Sequence, residues 1–422
     1  MATSSCGIDF GTSNSTLAVD QGGQIRLVPL EEEHLTIPSA IFFQQSNNQA
    51  FFGRSAVTHF VERQPGRFIR SLKRVLGTSL MKQGTQVNGT IMTFGTIITD
   101  FLKHLKRQAE TLTGHPLEQV VMGRPVHFVD HNPKGDTEAQ TELKQIALRS
   151  GFTNIEFQYE PIAAAFAHEV HISGEKLALV ADLGGGTSDF SIIRLSKRYA
   201  TKPDRSSDIL ASTGIRLGGN DLDKALSLAA IMPELGYHST YGAKHLEVPL
   251  KPYQDLAEWS KVNFLYTPKL IMQCRQLLHE AHDKPRFSRL LRVLEQETGH
   301  LLLAAAEEAK IAFSDQAQYM TSLDFVEPDF CLPINRVLFE EVIAPEVDQI
   351  IDCARACMQA AGVGPGAIEL VILTGGSTEV QAIQEAFRAL LPQAILADQN
   401  KLSSVGLGLG YASRYTFGPG TD

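Results

Sequence analysis

The chain has 422 residues, enough for two or three domains with substantial cores. Its 38 Lys and Arg stand against 47 Asp and Glu, a net charge of −9 that speaks against nucleic-acid binding through bulk electrostatics. No apolar run approaches the ~20 residues of a membrane span, and residues Met1 to Ser5 lack the basic-then-apolar pattern of a signal peptide.

Residues Cys6 to Val19 read as strand, small-residue turn, strand, with Asp9 at the end of the first strand and Gly11 and Thr12 in the turn. Thr36 to Phe43 is a strand entered through Pro38, and Phe52 to Ala56 turns into a helix. Phe68 to Gly77 is basic with apolar neighbours, and composition alone places Lys73 and Arg74 on a solvated helix face. Ile91 to Thr113 is an amphipathic helix ended by Gly114 and Pro116. Val120 to Val126 is a short strand, Glu138 to Ser150 a helix, and Ile155 to Tyr159 a strand. Glu160 and Pro161 then start a helix through Val170. A carboxylate at such a junction faces either a cleft or merely the helix N-terminus.

The stretch Val180 to Ile192 organises the chain. An apolar strand ends at Asp182, Gly184, Gly185, Gly186 and Thr187 turn, and strand character resumes from Phe190. Three adjacent glycines admit dihedrals that residues with a Cβ avoid, and let successive N–H groups converge on an anion. A plain tight hairpin is the bland alternative. The stretch repeats the plan of the opening hairpin, however, and two such cradles, each beside an aspartate, suggest a nucleotide held between them.

Lys202 to Asp208 reads as a hairpin tip, and Gly214 to Asp223 as a glycine turn running into a helix. Residues 224 to 300, with the only tryptophan, read as a mostly helical insertion. His300 to Ser314 is a helix projecting Glu307, Lys310 and Ser314 from one face. Pro345 to Ala361 is a helix, Glu369 to Thr374 a buried strand, and Gly375, Gly376 and Ser377 lead into a helix from Val380 to Leu391. Gly406 to Ala412 superficially matches a dinucleotide fingerprint but lacks its strand and downstream acid. His127 and His131 lack partners for a metal site. The five cysteines form no CxxC pair, and Cys353 and Cys357 fit one buried helix face, in keeping with a reducing, cytoplasmic location.

Six stretches together resemble the actin-like ATPase superfamily, and most closely the nucleotide-binding domain of the seventy-kilodalton heat-shock (DnaK-type) chaperones, on the short branch of YegD-type homologues. They are Gly7 to Ser15, Leu72 to Gly77, Glu160 to Ala165, Asp182 to Thr187, Leu217 to Asp221 and Leu373 to Thr378, in family order along nearly the whole chain. The resemblance implies an α/β, duplicated actin-like (ribonuclease H-like) fold. Residues 1–171 would form one lobe with 39–111 as its subdomain, and 172–422 the other with 223–300 as its subdomain. It implies ATP or ADP with Mg²⁺ in the cleft, K⁺ being a candidate further ion. Gly11, Thr12, Ser13 and Asn14 would cradle the β- and γ-phosphates, and Asp9 and Asp182 would hold the hydrated metal. Lys73 would reach the γ-phosphate and attacking water, Glu160 would order the metal's waters, and Thr187 would touch the γ-phosphate. Gly184, Gly185, Gly186, Gly218 and Gly219 would line the second side. Gly375, Gly376 and Ser377, with Glu307, Lys310 and Ser314, would hold the adenosine.

Departures from the family pattern are equally specific. Ile311 and Glu379 stand where the family sandwiches adenine between arginines, so affinity for ATP should be weaker or base preference relaxed. An acidic residue expected after Asn400 is replaced by Lys401, Leu402 and Ser403. Beyond Tyr415 neither a leucine-rich interdomain linker nor a peptide-binding domain follows, so bulk client folding by that route is not expected. The expected activity is an ATPase switch acting on a protein client or co-factor protein, with no nucleic-acid or membrane partner. A small-molecule kinase of the same superfamily and a non-catalytic nucleotide-sensing or filament-forming scaffold are the alternatives.

Overall fold

The computed structural model describes residues 4–418 except 48, 63, 83, 130–131, 170–171, 200–201, 203–204, 260 and 398–403. Asn400 to Ser403, His131, Val170 and the last four residues therefore lie outside the described residues.

Strand pairing repeats one plan twice. In the first sheet, Ser4–Phe10 pairs antiparallel with Asn14–Gln21 and parallel with Leu117–Arg124. Asn154–Tyr159 extends the parallel side and Gln24–Leu27 the antiparallel side. In the second, Lys176–Leu183 pairs antiparallel with Ser188–Leu195 and parallel with Leu370–Thr374. Ile395–Ala397 and Ile209–Ile215 extend it in the same two senses. The internal repeat seen in the two hairpins is thus a repeat of whole sheets, the two-lobed α/β architecture that the sequence implies.

The strands are apolar on both faces because both faces are covered. Along Lys176–Leu183, Leu179, Ala181 and Leu183 enter the core of the second lobe, while Ala178 and Val180 enter a separate middle core. That middle core also holds Ile162 to Phe166 of the helix Glu160–Glu169, and Val405, Leu409 and Ala412 of the helix Ser404–Phe417. Two helices therefore lie between the sheets and tie them together. The helix Ser404–Phe417 also packs on the first sheet, where Arg414 makes paired hydrogen bonds to Asp20 at 2.6 and 2.8 Å.

Its glycines explain a pattern that sequence reading discounted. A Cβ on Gly408 would overlap the Ala163 carbonyl, and one on Gly406 would overlap the Thr16 hydroxyl. A Cβ on Gly410 would stand 2.8 Å from that of Ala18, and Gly7 in turn gives way to the backbone of Leu409. These glycines let a helix lie against a strand and another helix at backbone distance.

Smaller elements flank each sheet. A three-stranded sheet of Ala50–Phe52, Ala40–Gln44 and Gly66–Arg70 carries the helix Gly53–Val61, and a hairpin of Gly84–Val87 and Thr90–Thr93 leads into the helix Phe94–Thr113. Residues 223–300 are mainly helical, with Lys251–Leu256, Pro268–Glu280 and Lys284–Glu295, and share one continuous core with the second sheet.

Several boundaries differ from the sequence reading. The helix expected from Ile91 begins at Phe94, since Thr93 accepts from the Thr96 N–H and caps it, leaving Ile91 in a strand. The helix expected from Pro345 runs Arg336–Ala360 with Pro345 inside. Asn335 caps it through the Leu338 N–H at 2.8 Å, and Phe339, Ile343, Val347 and Ile350 keep one buried face running past the exposed proline. The helix expected to reach Ser314 is Gly299–Ala312. Between these last two, Gln318–Ser322 and Cys331–Asn335 form a hairpin that the sequence reading left unassigned.

Candidate functional site

Alternation along the two leading strands decides where their aspartates face. Cys6, Ile8 and Phe10 point into the core of the first lobe, so Gly7 and Asp9 lie on the opposite face, where Gly7 meets Leu409. Asp182 shares its face with Ala178 and Val180, which border the same helix. Both carboxylates therefore emerge at strand ends on the faces that the two sheets turn towards each other.

The turns beyond them meet. In the first, the Ser39 hydroxyl donates to the Gly11 carbonyl at 2.8 Å, and the Ser39 N–H donates to Ser13 O at 2.8 Å, bracing residues 11–14 from outside the hairpin. In the second, the Gly184 N–H donates to Thr187 O at 2.9 Å. A Cβ on Gly185 would stand 2.7 Å from the Ser13 Oγ, and one on Gly186 would stand 3.4 Å from an Arg74 guanidinium nitrogen. None of Gly184, Gly185 and Gly186 has a positive φ, contrary to the expectation of unusual dihedrals. At 185 and 186 glycine leaves room for what faces the turn from the other lobe.

Further turns close on the second cradle. The Gly219 N–H donates to Gly184 O at 3.0 Å and the Asn220 N–H to Gly185 O at 2.7 Å. A Cβ on Gly218 would lie 2.6 Å from Gly184 O and 2.7 Å from Gly186 N. Ser377 Oγ donates to Gly184 O at 3.0 Å. Gly375 has φ +89°, where an L side chain is strained, and its missing Cβ would overlap the Leu183 carbonyl and stand 2.9 Å from Asp182 Oδ1. Gly376 starts the short helix that follows.

Lys73 stands on the short helix Leu72–Val75, which Ser71 sets off from strand Gly66–Arg70 by a left-handed turn at φ 58°. Its ammonium donates to Glu160 Oε1 at 2.5 Å, and each side chain is only about a tenth exposed. The solvated helix face that composition suggested is the wrong environment for Lys73, and it fits the exposed Arg74 better. Burial pushes the Asp9 carboxyl up to about 7, with repulsion from Glu160 added and Lys73 opposing. Burial likewise pushes Asp182 up to about 8, with Glu160, Asp189 and Asp9 adding to it. Burial works against the Lys73 ammonium, but Glu160, Asp9 and Asp182 outweigh it and raise its pKa. Asp9, Asp182 and Glu160 thus crowd around one ammonium, a pocket short of positive charge.

On the other flank Lys310 pairs with Asp223 at 2.8 Å and approaches the Gly219 carbonyl at 3.4 Å. Burial pushes Asp223 up to about 6, Lys310 opposing and Glu307 adding. Ser314 lies past the helix end, its carbonyl accepting from Gln381 Nε2 at 3.1 Å. Ile311 is 61% exposed and Glu379 is also exposed. The structure therefore brings Asp9, Lys73, Glu160 and Asp182 together, sets Ser13 against Gly185 and Arg74 against Gly186, and packs Gly218, Gly219, Gly375 and Ser377 on the second turn, with Lys310 on Asp223 and Glu307 beside it.

Sequence reading missed Ser39, Asp223 and Asp221, whose carboxylate accepts from the Gly218 N–H at 2.9 Å. Asp221 could have been found as the third residue of a helix whose cap is a glycine. Ser39 carries no local signal, because its partners lie 24 to 28 residues away. Among the described residues no group of three or more His, Cys, Asp or Glu side chains is arranged to ligate a metal, and no helix is long and apolar enough to cross a membrane.

Two mirrored glycine turns facing each other, an aspartate behind each and a lysine–glutamate pair beside them fit one nucleotide cleft between duplicated lobes. The family model described as "Hsp70 protein" matches residues 5–239 and 293–410. The chain belongs to that family of ATP-binding, chaperone-type proteins with an actin-like ATPase fold.

Proposed function

We propose that the chain binds ATP with Mg²⁺ between the two hairpin turns, hydrolyses it slowly, and signals the change of state to a protein partner. One observation carries the reading: the sheltered Lys73 ammonium donates to Glu160 Oε1 at 2.5 Å, with the buried Asp9 and Asp182 carboxyls close enough to act on the same ammonium. Two features fit a magnesium-bound triphosphate. Glycine at 185, 218 and 375 lets the turns close on one another at backbone distance, because a Cβ there would collide with Ser13, Gly184 or Leu183, and turns held this closely could present their remaining N–H groups to phosphate. The carboxylate excess calls for a cation, and carboxylates that do not cluster as direct ligands would hold one through its water shell.

When bound, the metal would neutralise charge on the phosphoryl oxygens during transfer to water. This chain's own residues would supply positioning. Asp9 and Asp182 would give up their protons and orient the metal's waters. Lys73 would place its ammonium at the terminal phosphate, held there by Glu160. Residues 11–14 and 184–187 would grip the phosphates from opposite sides, and Lys310, Glu307, Ser314 and residues 375–377 would receive the nucleoside. Closing and opening of the lobes is then the two-state element that a partner could read.

Steady-state ATP turnover with and without Mg²⁺, run beside partner capture in ATP and in ADP, tests the reading. It expects metal-dependent turnover that disappears in Asp182→Asn, and capture that differs between the nucleotides. Absence of turnover and of nucleotide-dependent capture would defeat it. The exposed Ile311 and Glu379 favour one other reading, a nucleotide-sensing scaffold, for which binding without hydrolysis or polymerisation on ATP is the signature.

A further inference from the structure

The family match breaks off at residue 239 and resumes at 293, and the stretch between carries the chain's single tryptophan, Trp259. Its ring does not stay within its own lobe. The guanidinium carbon of Arg70, the last residue of strand Gly66–Arg70 in the first lobe, lies 4.8 Å from the Trp259 ring centroid. Burial disfavours the charge on Arg70, and Glu307 and Asp223 of the second lobe support it from across the cleft. Those two carboxylates flank Lys310, on the side where the nucleoside would sit. The indole N–H is buried and has no hydrogen-bond partner among the described residues, so the contact rests on the π face. A second ring contact joins the same two bodies: Phe60 of the helix Gly53–Val61 lies 5.0 Å from His300, at the start of the helix Gly299–Ala312.

We propose that Arg70 and Trp259 form a clasp across the nucleoside end of the cleft, which must open for nucleotide to leave and which holds the lobes together while it is bound. The proposal rests on the nucleotide-binding function proposed above. Trp259 belongs to the segment outside the family match, whereas Arg70 lies within it, so the clasp joins an unmatched segment to the matched scaffold. A guanidinium lying on an indole and sheltered from water is among the stronger contacts of its kind. It can also separate cleanly, since no hydrogen bond to the indole has to be replaced.

Because Trp259 is the only tryptophan, its fluorescence reports the clasp directly in the full-length chain. Calorimetry first establishes Mg·ADP binding. Stopped-flow release of a fluorescent ADP analogue is then measured for the parent chain and for Arg70→Ala, Trp259→Ala, the double variant and Arg70→Lys. Release should quicken about tenfold in either alanine variant, the scale of one sheltered cation–π contact, and no further in the double variant. Arg70→Lys should fall between parent and alanine, and it decides the matter if an alanine variant fails to fold. Trp259 emission in the parent should change on adding Mg·ADP. Binding by calorimetry with release unchanged in all variants would overturn the clasp alone. A folded chain that binds no nucleotide would overturn both the clasp and the function on which it rests.

Discussion

The Cβ that Gly185 lacks would stand 2.7 Å from the Ser13 hydroxyl, so turns separated by most of a lobe in sequence meet without room for a methyl group. A serine hydroxyl can rotate aside, whereas a backbone carbonyl cannot. Gly185→Ala should therefore change stability by less than about 1 kcal/mol, while Gly185→Val should part the turns and weaken Mg·nucleotide binding. At Gly375 the obstruction is the Leu183 carbonyl and φ is +89°, so even Gly375→Ala should lower stability by about 1–3 kcal/mol. Chemical denaturation and calorimetry on the three variants check the contrast, and equal tolerance at both positions would contradict it.

Burying Asp182 among other carboxylates makes it costly to the empty fold and useful only with a cation present. Asp182→Asn should raise the stability of the nucleotide-free chain at pH 8 by about 1–3 kcal/mol while abolishing metal-dependent turnover. A variant both less stable and still active would show that Asp182 has a structural role instead.

Lys73 and Glu160 form a pair sheltered from solvent, and removing one partner strands the other. Lys73→Ala should lower stability by about 3–5 kcal/mol and turnover by about 10²–10³-fold. Adding Glu160→Gln should return much of the stability and none of the turnover. Recovery of both together would place Lys73 outside the chemistry.

The pH dependence has a definite sign. Asp9 and Asp182 rise from an ordinary 3.8 to about 7 and about 8, so between about pH 4 and pH 8 the folded chain holds more protons than the unfolded one. Stability of the nucleotide-free chain should fall as pH rises through that window. Cation binding requires the deprotonated carboxylates, so Mg·nucleotide affinity should increase over the same range and binding should release protons. Calorimetry in buffers of different ionisation enthalpy measures that release, and proton uptake would contradict the assignment.

The hairpins were legible in the sequence because each packs its signal into a dozen residues: an apolar strand, an aspartate, glycines and a returning strand. Lys73 was legible only through the family resemblance, since its partner Glu160 lies 87 residues away and composition favours a solvent-facing lysine. The helix Ser404–Phe417 was hidden for a related reason. Its glycines look like a phosphate loop or a helix breaker until Ala163, Thr16 and Ala18 are seen pressed against them. Pro345 marked a helix start in the sequence, yet the buried face that carries the helix through it becomes visible only once the second sheet supplies the other side. Ser39 and the Arg70–Trp259 contact likewise depend on three-dimensional proximity alone.

Calorimetric titration of Mg·ATP into the full chain and into the Asp9→Asn, Asp182→Asn double variant tests the central claim most directly. One nucleotide per chain, with affinity that depends on Mg²⁺ in the parent and loses that dependence in the variant, is the predicted result. Equal Mg²⁺-dependent affinity in both proteins would show that the two facing hairpins do not hold the metal-bound phosphates.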